Sequence, residues 1–225
     1  MTTSDESWSN KLRQIGDIER PDHYYLTEQH ECVYFGEYTA RKGWSHSKTN
    51  GTIHNLKKHP DTRHTMQWQH KLRTINWIGR LIRANLDPAA LSRITFVPAP
   101  PSRPPTDAAY DDRMLQVCKA VGNDVDVREL LETAVHRPAA HESEERPGPE
   151  GLAQCIRFRQ DQANLRPVAD QIIIVDDVMV TGATFVACSQ IIVEHHPGAS
   201  IFGMFVARRV PERTLAIDEF DVWDF

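Results

Sequence analysis

A chain of 225 residues, 40% hydrophobic and 25% charged, has the composition of a globular domain long enough to bury a core of ordinary size. It contains no run of about 18 apolar residues, which excludes a membrane-spanning helix, and its opening MTTSDESWSNKLRQ has no apolar segment of the secretory kind, so a cytoplasmic location is expected. The net charge of −5 is unevenly spread: residues 41–83 carry ten Lys and Arg against Asp61 alone, a local +9 that leaves −14 elsewhere and suggests a polyanionic partner or an acidic face of the same protein.

The first 20 or so residues are polar and are expected to be loosely held. YYLTEQHECVYFGEYTAR, residues 24–41, mixes aromatic and β-branched residues and predicts two short strands. KGWSHSKTNGT reads as a loop. From Met66 to Leu86, Trp68, Leu72, Ile75, Ile78, Ile82 and Leu86 recur three or four apart, which predicts an amphipathic helix interrupted at Asp87-Pro88. ITFVP, residues 94–98, predicts a strand running into the Pro-rich loop APPSRPPTD. Helices are expected over 107–121 and 126–135, followed by a mobile polar loop, HRPAAHESEERPGPEG, at 136–151. Ile172–Val175 predicts a buried strand, the segment after Gly182 a helix, and IFGMFVA at 201–207 a third strong strand. The acidic and aromatic tail holds Phe220, Trp223 and Phe225.

Strands separated by helices imply a parallel α/β sheet, whose ligands bind beyond the carboxyl ends of its strands. Loops after Val97, Val175 and Val206 are therefore the places to look. The second is the most informative. In QIIIVDDVMVTGAT a β-branched strand ends in Asp176 and Asp177, and a small loop with Thr181, Gly182 and Thr184 leads into a helix. Backbone N–H groups and a helix N-terminus favour a phosphate. The carboxylates would repel that phosphate, so they must serve another part of the ligand. Hydroxyl donors suit them, because ionised carboxylates only accept hydrogen bonds. A ribose 5-phosphate meets both demands.

IIIVDDVMVTGAT resembles the phosphoribosyl pyrophosphate (PRPP) motif of type I phosphoribosyltransferases, and the order of elements is closest to the competence-protein-F-like branch. The resemblance covers roughly residues 94–209. It implies a Rossmann-like parallel-sheet core over 91–210, a hood-like N-terminal extension over 1–90 with the basic helix, and a tail over 211–225. It implies that Asp176 and Asp177 bind the ribose hydroxyls and, indirectly through these or through water, Mg²⁺. It places the 5-phosphate on Val180, Thr181, Gly182, Ala183 and Thr184. Arg103, with Ser102, would be the cation for the diphosphate, and Arg137, His141 and Arg146 would close over it from the mobile loop. Ala207, Arg208 and Arg209 would form the loop near the base.

The implied activity is Mg²⁺-dependent phosphoribosyl transfer from PRPP to a nucleobase-like acceptor, with release of pyrophosphate. Val180 stands where the hypoxanthine-guanine branch resembles an aspartate base, which argues against a 6-oxopurine handled in that way. Two alternatives stay open on the same fold: a non-catalytic PRPP- or nucleotide-binding regulator, and a nucleic-acid-associated effector such as a toxin or defence component in a ribonucleoprotein. The second draws on the basic segment 41–83, where Trp44, Trp68 and Trp77 interleave with cations. A homodimer would follow the family's habit. Cys32, Cys118, Cys155 and Cys188 form no C-x-x-C pair and read as free thiols. His46, His54, His59, His64 and His70 match no zinc spacing. In YDDR, residues 110–113, the acids read as a helix start or as partners that orient Arg103.

Overall fold

A computed structural model describes residues 7–135 and 147–211. In chain order its elements are β1 (Trp8–Gln14), β2 (Glu31–Thr39), α1 (Lys48–Leu56), α2 (Met66–Ala84), β3 (Ile94–Pro98), α3 (Arg113–Lys119), β4 (Asp126–Val127), β5 (Leu131–Thr133), α4 (Pro149–Ala153), β6 (Ile156–Phe158), α5 (Gln160–Ala163), β7 (Gln171–Met179), α6 (Ala183–His195) and β8 (Ser200–Val210). Six strands form one sheet in the order β1-β2-β8-β7-β3-β4, and β5 pairs with β6 in a small second sheet. All neighbours in the main sheet are parallel except the edge pair β1–β2. The protein is thus α/β, with a mostly parallel central sheet compatible with a Rossmann-like core.

The sheet is buried on both faces, and the two-residue period of its strands sorts the core into two layers. Ile173, Val175, Met204 and Val206 meet Ile53, Leu56, Ile75, Ile78, Ile82 and Val117 from α1, α2 and α3. Ile172, Ile174 and Phe205 turn the other way, onto Phe185, Cys188, Ile191 and Ile192 of α6 and onto Leu131 and Ile156 of the small sheet. Helix α3 packs against β3 and β7 from the first face, whereas α6, which leaves β7, covers the second. The helices after β3 and β7 therefore diverge to opposite faces, which opens a crevice between the carboxyl ends of these two strands.

Several elements differ from expectation. Residues 8–14 are an ordered edge strand, held by backbone pairing to β2 and by Trp8, which is buried against Phe35 and Trp77. The span 24–41 holds one strand, not two, and α1 begins inside the expected loop at Lys48, capped by the Ser47 side chain accepting from Asn50 N. Only 113–119 is α-helical within 107–121. The span 126–135 forms β4 and β5 instead of a helix, because its short apolar runs pair with β3 and β6. Strand β8 runs on to Val210, so Ala207, Arg208 and Arg209 are strand residues and not a loop. The boundary drawn at residue 90 falls in the connection between α2 and β3, and both sides of it contribute strands to one sheet. The cysteines are free thiols, with Cys32, Cys118 and Cys188 buried.

Candidate functional site

The crevice contains a cavity of about 340 Å³. Its walls are the end of β3 with the loop Pro98–Ser102, the start of α3, the small sheet, and Asp176, Asp177 and Val178 of β7. A smaller niche of about 60 Å³ adjoins it, lined by Asp176 and residues 178–185. Asp176, Val178 and Thr184 line both.

The niche is built from the β7–α6 turn. Gly182 precedes α6 with φ of 88°, a left-handed conformation that strains any residue with a Cβ. A Cβ there would also lie 2.8 Å from Leu26 Cδ2, so space excludes it a second time. The Thr181 hydroxyl accepts from Ala183 N at 3.3 Å, shaping the first turn. The turn is held from outside by residues 23–26. Tyr25 N donates to Thr181 O at 3.0 Å. The ring of His23, fully buried, bonds Val180 O at 2.7 Å through Nδ1. A carbonyl only accepts, so Nδ1 carries the proton, and no partner for the buried Nε2 is found among the described residues. Burial lowers the pKa of this imidazole, the charge of Arg208 adds to that, and the neutral ring follows. All five residues expected at the phosphate, Val180 to Thr184, thus line one niche.

The two aspartates lie in strand β7 and have different environments. Asp177 is buried. Its Oδ2 accepts from Arg113 Nε at 2.9 Å and Nη2 at 2.6 Å, and its Oδ1 lies 3.0 Å from Lys57 Nζ. Burial alone would raise its pKa; the charges of Lys57 and Arg113 and their hydrogen bonds overcome that and hold the carboxyl well below the usual range. Asp176 is partly exposed, and its Oδ1 accepts from Asp177 N at 2.7 Å. Burial, and then the neighbouring charge of Asp177, push its carboxyl up to about 6.

Arg113 is the centre of a chain of charges. Its Nη1 donates to Asp111 Oδ2 at 2.8 Å, and Asp111 in turn accepts from Lys71 Nζ at 2.6 and 2.7 Å. Lys71, on α2, has no exposed surface, and it also donates to Lys58 O at 2.9 Å. Such a buried ammonium persists only because it is paired and fully hydrogen-bonded. The YDDR segment therefore works through Asp111 as well as starting α3.

Arg103 is placed elsewhere. Its Nη1 pairs with Asp107 at 2.9 Å, and it lines a shallow depression beside the cavity together with Ser102, Lys57 and Arg113. Ser102 borders both spaces. Arg137, His141 and Arg146, and the tail aromatics Phe220, Trp223 and Phe225, lie outside the described residues. Arg208 pairs with Asp22 at 3.1 Å and Glu37 at 2.7 Å, holding β8 to the N-terminal segment. Among the described residues the cations that line the cavity are Lys57, Arg113 and Arg159, none of which was expected there. Six carboxylates line the same walls: Asp111, Asp112, Glu129, Glu132, Asp176 and Asp177. Among the described residues no group of three or more His, Cys, Asp or Glu is arranged to hold a metal unaided.

Comparison of the chain with protein-family models and with curated proteins returns no match.

Proposed function

We propose that the protein is a type I phosphoribosyltransferase that takes PRPP as donor and a nucleobase-like acceptor. The observation that carries this reading is the paired space at the end of β7: a niche at a helix N-terminus, sharing Asp176 and Thr184 with a larger cavity. A phosphate in the niche sits on loop N–H groups and the positive end of the α6 dipole. The ribose then lies against Asp176, and its diphosphate points toward Lys57 and Arg113.

In this reading the C1–O bond to diphosphate breaks, a nitrogen of the acceptor bonds C1, and diphosphate leaves with its electron pair. Asp176 accepts from the ribose hydroxyls and faces the positive charge that grows on the ring. Lys57 and Arg113, held by Asp177, are positioned to stabilise the leaving group, the role assigned from sequence to Arg103. Among the described residues, six carboxylates against three cations make the cavity unfavourable for a bare polyanion. That balance fits Mg²⁺, which typically binds through one or two carboxylates together with substrate phosphates. Asp176 and Asp177 would hold the ion through ribose hydroxyls or water, and when bound it neutralises the diphosphate.

The test is PRPP-dependent release of diphosphate with Mg²⁺ across a panel of nucleobases. Acceptor-stimulated release that Asp176→Asn abolishes supports transfer. Tight PRPP binding without release by any acceptor would replace transfer by the regulatory reading.

A further inference from the structure

The basic segment 41–83 is only partly absorbed by the fold. Part of its charge is already committed: Lys71 is buried on Asp111, Arg83 pairs with Asp124 at 2.7 Å, and Lys57, at the end of the groove, also lies 3.0 Å from Asp177 Oδ1. Two of its tryptophans are likewise engaged. Trp68 lies under Arg63 and Lys71, and Trp77 packs against Trp8 with ring centroids 4.9 Å apart. Trp44 is different, with 65% of its surface exposed. It stands at a groove of about 530 Å³ whose other walls include Lys42, His54, Lys57, Lys58 and His59. From residue 41 to 64 the chain has six Lys and Arg and four His, and its one acid, Asp61, lies 3.1 Å from His59. The floor of the groove is anchored, because Lys58 O accepts from the buried Lys71 ammonium. Lys57 lines this groove, the cavity with Asp176, and the depression that holds Arg103.

We propose that this groove binds single-stranded nucleic acid, with a base stacked on Trp44 and phosphates along Lys42, Lys58 and Lys57. The strand would end at the mouth of the cavity, where Lys57 stands. An exposed indole beside clustered cations matches the two requirements of such sites, a stacking platform and a track for the backbone. A duplex buries its base faces and cannot use the indole. An acidic peptide could use the cations but has no base for the indole. The inference rests on the groove alone and does not require that the cavity bind PRPP.

The experiment is fluorescence anisotropy of a labelled oligo-dT with the full chain. Wild type should bind, and log K should fall with log salt at a slope of about −2, the release expected from about three phosphates on a single strand. Trp44→Ala should weaken binding by about tenfold, the loss of one stacked base. Lys42→Glu/Lys58→Glu should weaken it at least as much. All three side chains lie on the surface groove, so unchanged thermal unfolding would show that the variants are folded. Absence of binding by wild type, or affinity unaltered by Trp44→Ala, overturns the proposal. Displacement by poly-glutamate as readily as by unlabelled oligo-dT would mean a general polyanion surface, and equal affinity for a mononucleotide would mean a site for one nucleotide. Either of those results also overturns it.

Discussion

Asp176→Asn should stabilise the protein while it removes the ligand. The carboxyl titrates near 3.8 in the unfolded chain and is pushed up to about 6 in the folded one, by burial first and by Asp177 second. A raised folded value means that the native state holds the proton more tightly. Stability from this group is therefore present below about pH 4 and is lost as pH rises through 6, so ionised Asp176 is a cost at neutral pH. Two pH units correspond to about 3 kcal/mol. Partial exposure to the cavity screens the charge, and about 1–2 kcal/mol is the expected gain on removing it. For a chain of this length that is about 2–8 °C in Tm. Asn keeps the oxygen that accepts from Asp177 N, so the backbone geometry survives. The assay is thermal unfolding of wild type and variant at pH 7.5 and pH 4.5. The variant's advantage should be about threefold larger at the higher pH. A variant that is less stable at pH 7.5, or whose advantage is the same at both, refutes the reasoning.

Arg113→Leu should cost about 3–5 kcal/mol in urea unfolding, because it leaves Asp177 and Asp111 buried with one cation each. Asp177 is held below its unfolded value, so this loss should be full above about pH 4 and shrink in stronger acid; a loss that does not change with pH would contradict the pairing. Gly182→Ala should lose about 1–3 kcal/mol from the left-handed backbone and the Leu26 contact, and phosphate binding with it; unchanged stability would remove the argument for the turn. Gly79→Ala should destabilise despite the better helix propensity of alanine, since its Cβ would lie 2.5 Å from the backbone of Ala120 where α2 meets α3. A higher Tm for that variant would show that the two helices separate easily.

The parts legible in the sequence were those whose pattern is local. Ile94–Pro98 and the β7–α6 unit are continuous apolar runs closed by Pro or Gly, and α2 carries a stripe of helical spacing that buries Ile75, Ile78 and Ile82. The edge strand β1, WSNKLRQ, is mostly polar, and Trp8 and Leu12, four apart, are its only apolar residues, so its side chains show no two-residue alternation that would announce a strand. Strands of two and three residues, such as β4 and β5, are too short for periodicity to separate from helix. At the site, the acids and the loop could be read because they are contiguous. Arg113 and Lys57 could not, since their partner Asp177 is brought to them only by the packing of α1 and α3 on the sheet. The one local signal was YDDR, where acids and a cation at the start of α3 admit a second function besides capping.

The most direct measurement is calorimetric titration of PRPP with Mg²⁺ into wild type and Asp176→Asn. Asp176→Asn is the sharper variant, because Asp177 also holds Arg113 and Lys57 in place. Saturable binding by wild type that depends on Mg²⁺ and is lost in a folded Asp176→Asn protein is the predicted result. No heat of binding with wild type, or equal affinity in the variant, would contradict the assignment of the β7–α6 turn and Asp176 to a ribose 5-phosphate.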